Sequence, residues 1–286
     1  MQALSSLSQQ QAAKIRFVLS DIDDTITTEG RMTSRAYYAL EQLSAAGIVV
    51  IPITGRPAGW CDHIARMWPV FAVVGENGAF YMRYDHTAKK MITHHFADSA
   101  QRQINRQKLN ELSAQILRAV PGCGLASDQN YREADLAIDF CEDVPPLNES
   151  EVQRIVNMFK QVGAQAKVSS IHVNGWFGDY DKLSMTKTLF ARECGLNLQD
   201  QLETALFIGD SPNDEPMFEF FNFSVGVANI QGQLHRLKHP PKFVTPSRGG
   251  EGFVEMVEYL LQARGEDGDV RTRAQAQCAR QGSSPR

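Results

Sequence analysis

Apolar residues fall into two rhythms along this chain. Residues 15–20, 48–53 and 71–74, and the run that opens at Ala205, are short and continuously apolar, the pattern of strands buried on both faces. Between the first two, Ala36, Leu40 and Leu43 recur at helical spacing over residues 33–46. Thr33 or Ser34 supplies the N-cap there, and Gly47 the stop. A second, shorter helix begins at Pro57 and runs to Met67. Strand, helix, strand, helix, strand in alternation predicts a parallel sheet covered by helices.

The rhythm changes after Tyr84. Residues 98–119 read as a long polar helix, with Ile104, Leu109, Leu112, Ile116 and Leu117 as its apolar side and Pro121-Gly122-Cys123-Gly124 as its stop. Strand-like stretches follow at 123–127 and 134–141, then a turn around Pro145-Pro146. A helix over 149–162 carries Val152, Ile155, Val156 and Phe159, and strand-like stretches return at 166–177. Helix, two strands, helix, two strands is an α+β unit set inside the α/β pattern, which resumes from Lys182 to about Leu261.

Three of the buried runs end in chemically active residues. The first ends Asp21-Ile22-Asp23-Asp24-Thr25, the second Thr54-Gly55-Arg56, and the third Gly209-Asp210-Ser211-Pro212-Asn213-Asp214. Open α/β sheets bind ligands outside the carboxyl ends of their strands. Clustered carboxylates repel unless a cation neutralises them, and Mg²⁺ prefers one or two carboxylates together with a substrate phosphate. The bland alternative is a set of solvated turns, since Asp and Thr are common turn residues.

The order Asp-x-Asp-x-Thr, Thr, Lys182, Gly-Asp-x-x-Asn-Asp resembles the haloacid dehalogenase (HAD) superfamily of phosphohydrolases in all four of its motifs. The insert between the second and third motifs, and the stretch Val74-Gly75-Glu76-Asn77-Gly78-Ala79, resemble its large-cap branch. That branch includes sucrose-phosphate, trehalose-phosphate and mannosyl-phosphoglycerate phosphatases and the phosphomannomutases. The resemblance covers roughly residues 15–262. It implies a Rossmannoid parallel-sheet core, residues 14–84 and 179–264, with an inserted α+β cap, residues 85–178, and flexible termini at 1–13 and 265–286.

It also implies roles. Asp21 is the nucleophile, Asp23 the acid and base, Thr54 a donor to the phosphoryl group and Lys182 a fixed positive charge. Mg²⁺ is held by Asp21, the carbonyl of Asp23 and Asp210, with Asp214 behind them. Gly55, Arg56, Asn77 and Asn213 complete the substrate-binding set. Asp24 reads as structural. Leu183 stands where the family usually has glycine, so Lys187 competes for the lysine role, but the apolar positions Met185 and Leu189 favour Lys182. In the insert, Arg132, Glu133, Asp139, His172 and Asn174 could face substrate.

Composition narrows the rest. With 286 residues and 43% hydrophobic content, the chain can build real cores. A net charge of −4 gives no basic footprint for nucleic acid. No apolar run approaches the ~20 residues of a membrane span. Five scattered cysteines without metal-ligand spacing fit a reducing cytoplasm. The expectation is a cytoplasmic phosphatase, monomeric or a small homo-oligomer, acting on a small phosphorylated metabolite such as a sugar phosphate. The alternatives are a phosphomutase with the same aspartyl phosphate and a non-enzymatic binder of a phosphorylated ligand. A dehydrogenase is disfavoured, because no glycine fingerprint follows the first strand.

Overall fold

The structure is a computed structural model that describes residues 1–169 and 171–265. Its strands and helices, in chain order, begin with β1 (Gln2–Ala3), α1 (Gln9–Ala13), β2 (Phe17–Ser20), α2 (Ser34–Ala45), β3 (Val49–Pro52), α3 (Ala58–Met67) and β4 (Val73–Gly75). The hairpin β5 (Phe80–Asp85) and β6 (Lys90–His95) follows. Next come α4 (Ser99–Ala119), β7 (Gly124–Leu125), β8 (Asp135–Asp139), α5 (Glu149–Gln161), β9 (Gln165–Val168) and β10 (His172–Trp176). The chain returns through α6 (Lys182–Leu189), β11 (Ala205–Gly209), α7 (Glu215–Phe220), β12 (Phe223–Gly226), β13 (Phe243–Val244) and α8 (Gly249–Arg264).

Six strands form a parallel sheet in the order β1-β13-β12-β11-β2-β3. Its side chains alternate as the pleat requires. Phe17, Leu19, Val49, Ile51, Ala205 and Phe207 pack with α6 and α7, whereas Val18, Val50, Leu206 and Ile208 pack with α2, α3 and α8. Both faces are covered, which is why the strands read as continuous apolar runs. Ser20 pairs with Pro52 on one side and Ile208 on the other. Asp21, Thr54 and Asp210 therefore emerge together at the carboxyl edge.

A four-stranded antiparallel sheet, β7-β8-β10-β9, lies between the two parts of this pattern in the chain. Leu136, Ile138 and Val173 bury one of its faces against Leu109, Leu112 and Ile116 of α4 and Ile155, Val156 and Phe159 of α5. Gly175 is required there, because a Cβ would stand 2.1 Å from the Phe159 ring. The intervening residues Asp135, Asp139, His172 and Asn174 are buried and polar, and two of them line the cavity described below. Ile104 and Leu117, expected on the apolar side of α4, are 48% and 38% exposed. They fall at the edges of the stripe that the Leu109, Leu112 and Ile116 spacing defines.

Two further features differ from the sequence expectation. Residues 1–13, expected as a flexible terminus, are folded: β1 extends the sheet beside β13, and Leu4, Leu7 and Ala12 are buried. Three isolated apolar residues in a Ser/Gln-rich stretch carry no clear period, but α8 offers them an apolar surface. The expected boundary at residue 85 falls inside the β5–β6 hairpin, at the last residue of β5. That hairpin pairs with β4, and a bridge between Ile53 and Val74 joins β4 to β3. The tail expected as flexible from 265 lies, from residue 266, outside the described residues. Two linkers connect the sheets, and Tyr180 in the second meets Phe96 in the first at 4.9 Å, tilted by 47°, and stacks on Trp176 at 5.6 Å.

Candidate active site

The centre of the site is Lys182, at the first turn of α6. Its N-cap Asp181 accepts from Ser184 N, and Ser184 bonds back, so a capping box fixes where the helix begins. The lysine is 3% exposed. Its Nζ lies 2.8 Å from Asp21 Oδ1 and 2.6 Å from Asp214 Oδ1. Burial alone would lower its pKa, but the two carboxylates more than offset this and hold the ammonium charged. Lys187, its competitor, is exposed on the same helix and sits 4.5 Å over the Phe220 ring.

Asp21, Asp210 and Asp214 are buried, and each has a carboxylate oxygen within 4.8 Å of the others. Burial raises the Asp21 carboxyl to about 7, with Asp214 and Asp23 adding to the rise and Lys182 opposing it. Burial, Asp21 and Asp214 likewise raise Asp210. Three buried carboxyl groups beside one ammonium, two of them pushed toward the protonated form, leave the cluster short of positive charge, so this donor set fits a hard divalent cation with oxygen ligands. Asp214 Oδ2 also accepts from the amides of Asp210 and Ser211, which fixes its rotamer.

Asp23 points away from that cluster. Arg56 Nε donates to both of its oxygens, at 3.0 and 3.1 Å. Arg56 continues to Asp128 at 3.5 Å and Glu142 at 3.2 Å, and its guanidinium stacks 4.4 Å over Trp60. His172 Nε2 stands 2.8 Å from Glu142 Oε2. His172 and Arg56 hold the Glu142 carboxyl down at about 2, against the pull of burial. Arg132 pairs with Asp128 and Asp135 and donates to Gly55 O at 2.9 Å. Asn174 donates to Asp135 at 2.9 Å.

Thr54 is fully buried, and its Oγ1 accepts from Arg56 N at 3.0 Å. Asn77, left-handed at φ 56°, donates its amide to Thr54 O and lays its side chain against Gly55, where a Cβ would be 3.2 Å away. Asn213 Oδ1 accepts from Ser211 Oγ at 2.6 Å. A cavity of about 20 Å³ is left between these groups, lined by Asp21, Asp23, Arg56, His172, Asn174 and Asp210 among others. The ten site residues expected from sequence thus cluster at one edge of the sheet. Of the insert residues, Arg132, His172 and Asn174 line the cavity. Glu133 pairs instead with His95, and Asp139 accepts the amides of Cys141, Glu142 and Asp143.

Two participants were not anticipated. Asn229 Nδ2 donates to Asp210 Oδ2 at 3.0 Å and to Asp24 O at 3.1 Å, while its Oδ1 accepts from Gly249 N. The signal was its position just past β12, a fourth strand end beside the other three. Glu142 sits in a turn with no strand or helix pattern to place it.

Residues 18–120 match the family model of haloacid dehalogenase-like hydrolases. A phosphoglycolate phosphatase of Archaeoglobus fulgidus is 47% identical over 249 residues, covering 86% of this chain and 97% of its own length. The chain belongs to the haloacid dehalogenase-like hydrolases. A phosphoglycolate phosphatase of Methanosarcina mazei is 27% identical over 264 residues, covering 86% of this chain and 97% of its own length. Among solved structures, Thermoplasma acidophilum 0175 superposes with a TM-score of 0.66 at 18% identity, covering 86% of this chain and 98% of that one. The C-terminal domain of a C. albicans trehalose-6-phosphate phosphatase does so with a TM-score of 0.65 at 15% identity, covering 91% and 98%. These likenesses show the HAD fold, a parallel-sheet core carrying a cap with its own antiparallel sheet. The family model and the curated relatives make this HAD hydrolase a phosphatase. Among the described residues, no helix is long and apolar enough to cross a membrane.

Proposed function

We propose that this phosphatase is Mg²⁺-dependent and hydrolyses a small sugar phosphate through an aspartyl phosphate on Asp21. The observation that carries the reading is the Lys182 ammonium wedged between Asp21 and Asp214 in a cluster that is still short of positive charge. Mg²⁺ held by Asp21, the Asp23 carbonyl and Asp210, with Asp214 behind, would neutralise the approaching phosphoryl oxygens. Asp21 attacks phosphorus, and the ester P–O bond breaks as Asp23, released from Arg56 on substrate entry and protonated, gives its proton to the leaving oxygen. Water then attacks the aspartyl phosphate, Asp23 takes the proton back, and phosphate leaves. Lys182 and Thr54 stabilise charge on the transferring group. Gly55, Arg56, Asn77 and Asn213 frame it.

The leaving group would occupy a second cavity, about 290 Å³, that shares Asp23 and Arg56 with the first. Its other walls include Asp24, Glu29 and Glu142, and its one cation among the described residues, Arg56, is already paired with three carboxylates. Such walls accept hydrogen bonds from hydroxyls and repel a carboxylate, which supports a sugar. The second reading is phosphoglycolate, favoured by the 47% identical relative. A phosphomutase would use the same first step. The cavity of about 20 Å³ holds about one water. Substrate entry would therefore need the cap, taken here as residues 99–176, to swing off. Because phosphorylated metabolites are held inside cells, we take the enzyme to be cytoplasmic.

Phosphate release across a panel of sugar phosphates and phosphoglycolate, with and without Mg²⁺, tests this. Turnover that requires Mg²⁺, prefers a sugar phosphate and vanishes in Asp21→Asn is the expected result. Turnover that survives Asp21→Asn would refute the mechanism. Preference for phosphoglycolate would refute only the sugar.

A further inference from the structure

Glu76 is fully buried and lies on a turn that no catalytic role explains. It and Asn77 are both left-handed, at φ 44° and 56°. Neither is glycine, and such residues cost of order 1–3 kcal/mol each unless their surroundings hold them. The turn is spent on aiming one carboxylate. Its Oε1 accepts from Ala58 N at 3.0 Å and Glu133 N at 2.8 Å. Its Oε2 accepts from Ala134 N at 2.6 Å and Asp135 N at 3.1 Å. One side chain thus satisfies the start of α3 on the core and three successive amides leading into β8 of the cap. The same turn grips the catalytic loop, because Glu76 N donates to Arg56 O and Asn77 N to Thr54 O. Arg132, next to the gripped amides, donates to Gly55 O across the same seam.

We propose that Glu76 is a positioning residue that registers the closed cap over the Thr54–Arg56 loop, through acceptance of the three amides at 133–135. The inference rests on the phosphatase reading above. It concerns cap closure and leaves phosphoryl chemistry to Asp21. Arg132, Asp135, Cys61 and Tyr180 are the titratable groups around this carboxylate. Burial and Asp135 raise it to about 7, while Arg132 and the amides pull it down. Its working form is the carboxylate, since a proton on either oxygen would face amide donors and find no acceptor.

The test is Glu76→Gln assayed on two substrates. A sugar phosphate needs the closed cap around its leaving group. Acetyl phosphate has a small leaving group that departs without protonation. In Glu76→Gln one oxygen becomes NH₂ and faces two amide donors. We expect kcat/KM on the sugar phosphate to fall at least 30-fold and on acetyl phosphate by less than threefold. Hydrogen exchange at the amides of residues 133–135 should rise in the same variant. Equal losses on both substrates, or no loss on either, would overturn the proposal. Should Glu76→Gln fail to fold, Glu76→Asp keeps the charge but falls one methylene short, and it is read the same way. Wild-type enzyme that turns over neither substrate would count against the phosphatase reading itself.

Discussion

Replacing Lys182 by methionine keeps much of the side-chain volume and removes the charge. The ammonium is 3% exposed and contacts two carboxylates at 2.8 and 2.6 Å. Breaking a buried ion pair from one side costs about 3–5 kcal/mol, because the charge left behind has no partner. Here two partners are left, together with Asp210 in the same cluster. For a domain of this size, 1 kcal/mol moves Tm by roughly 2–4 °C, so metal-free Lys182→Met should melt about 6–20 °C below wild type. Mg²⁺ should recover part of that loss. Its stabilising increment should be larger in the variant, where the carboxylates have no other counter-charge. The assay is thermal unfolding of both proteins, first in chelator and then across a Mg²⁺ titration. A variant within 2 °C of wild type in chelator, or an equal Mg²⁺ increment in both, would refute the charge balance argued here.

Other expectations follow from single contacts. Gly78→Ala would bring a Cβ within 2.1 Å of Asp181 O at φ +107°; stability should fall by about 1–3 kcal/mol and activity with it, read by denaturant unfolding and phosphate release. Asn229→Ala frees Asp210 Oδ2 from its 3.0 Å donor, and the Mg²⁺ concentration for half-maximal activity should rise about 10–100-fold. Glu142 has its carboxyl lowered from 4.5 to about 2, so its stabilisation is present above pH 4.5 and is lost as pH falls toward 2. The stability gap between wild type and Glu142→Gln, at most about 3 kcal/mol, should therefore close on acidification. A gap that widened would reverse the sign of the argument.

The legible part of this protein is the part its repeated patterns determine. Strands covered on both faces by helices must be apolar throughout, so β2, β3 and β11 stood out, and with them the residues at their ends. Helix α2 announced its cap as Thr33 or Ser34, and Thr33 is the one that accepts from Ala36 N. The N-terminal strand was illegible because two residues have no period, and only β13 and α8 give them a place. Glu142 and Asp128 were illegible for a different reason. Their importance comes from Arg56, which lies 86 and 72 residues earlier in the chain. Arg56, placed by the resemblance in the substrate-binding set, is in the structure a buried hub for the carboxylates of Asp23, Asp128 and Glu142. Nothing in a turn's own composition reveals which distant cation it will meet.

The return linker from β10 gives this enzyme a fixed seam for modular change. Phe177 to Asp181 run directly from the last cap strand into the N-cap of the helix that carries Lys182. An exchanged cap that ended one residue early or late would carry Asp181 with it, shift the first turn of α6 and draw the lysine out from between its two carboxylates. The outgoing linker, by contrast, follows the β5–β6 hairpin and leads to no catalytic side chain before α4. Grafting a foreign cap onto this core should therefore tolerate length variation at the entry junction and fail on it at the exit.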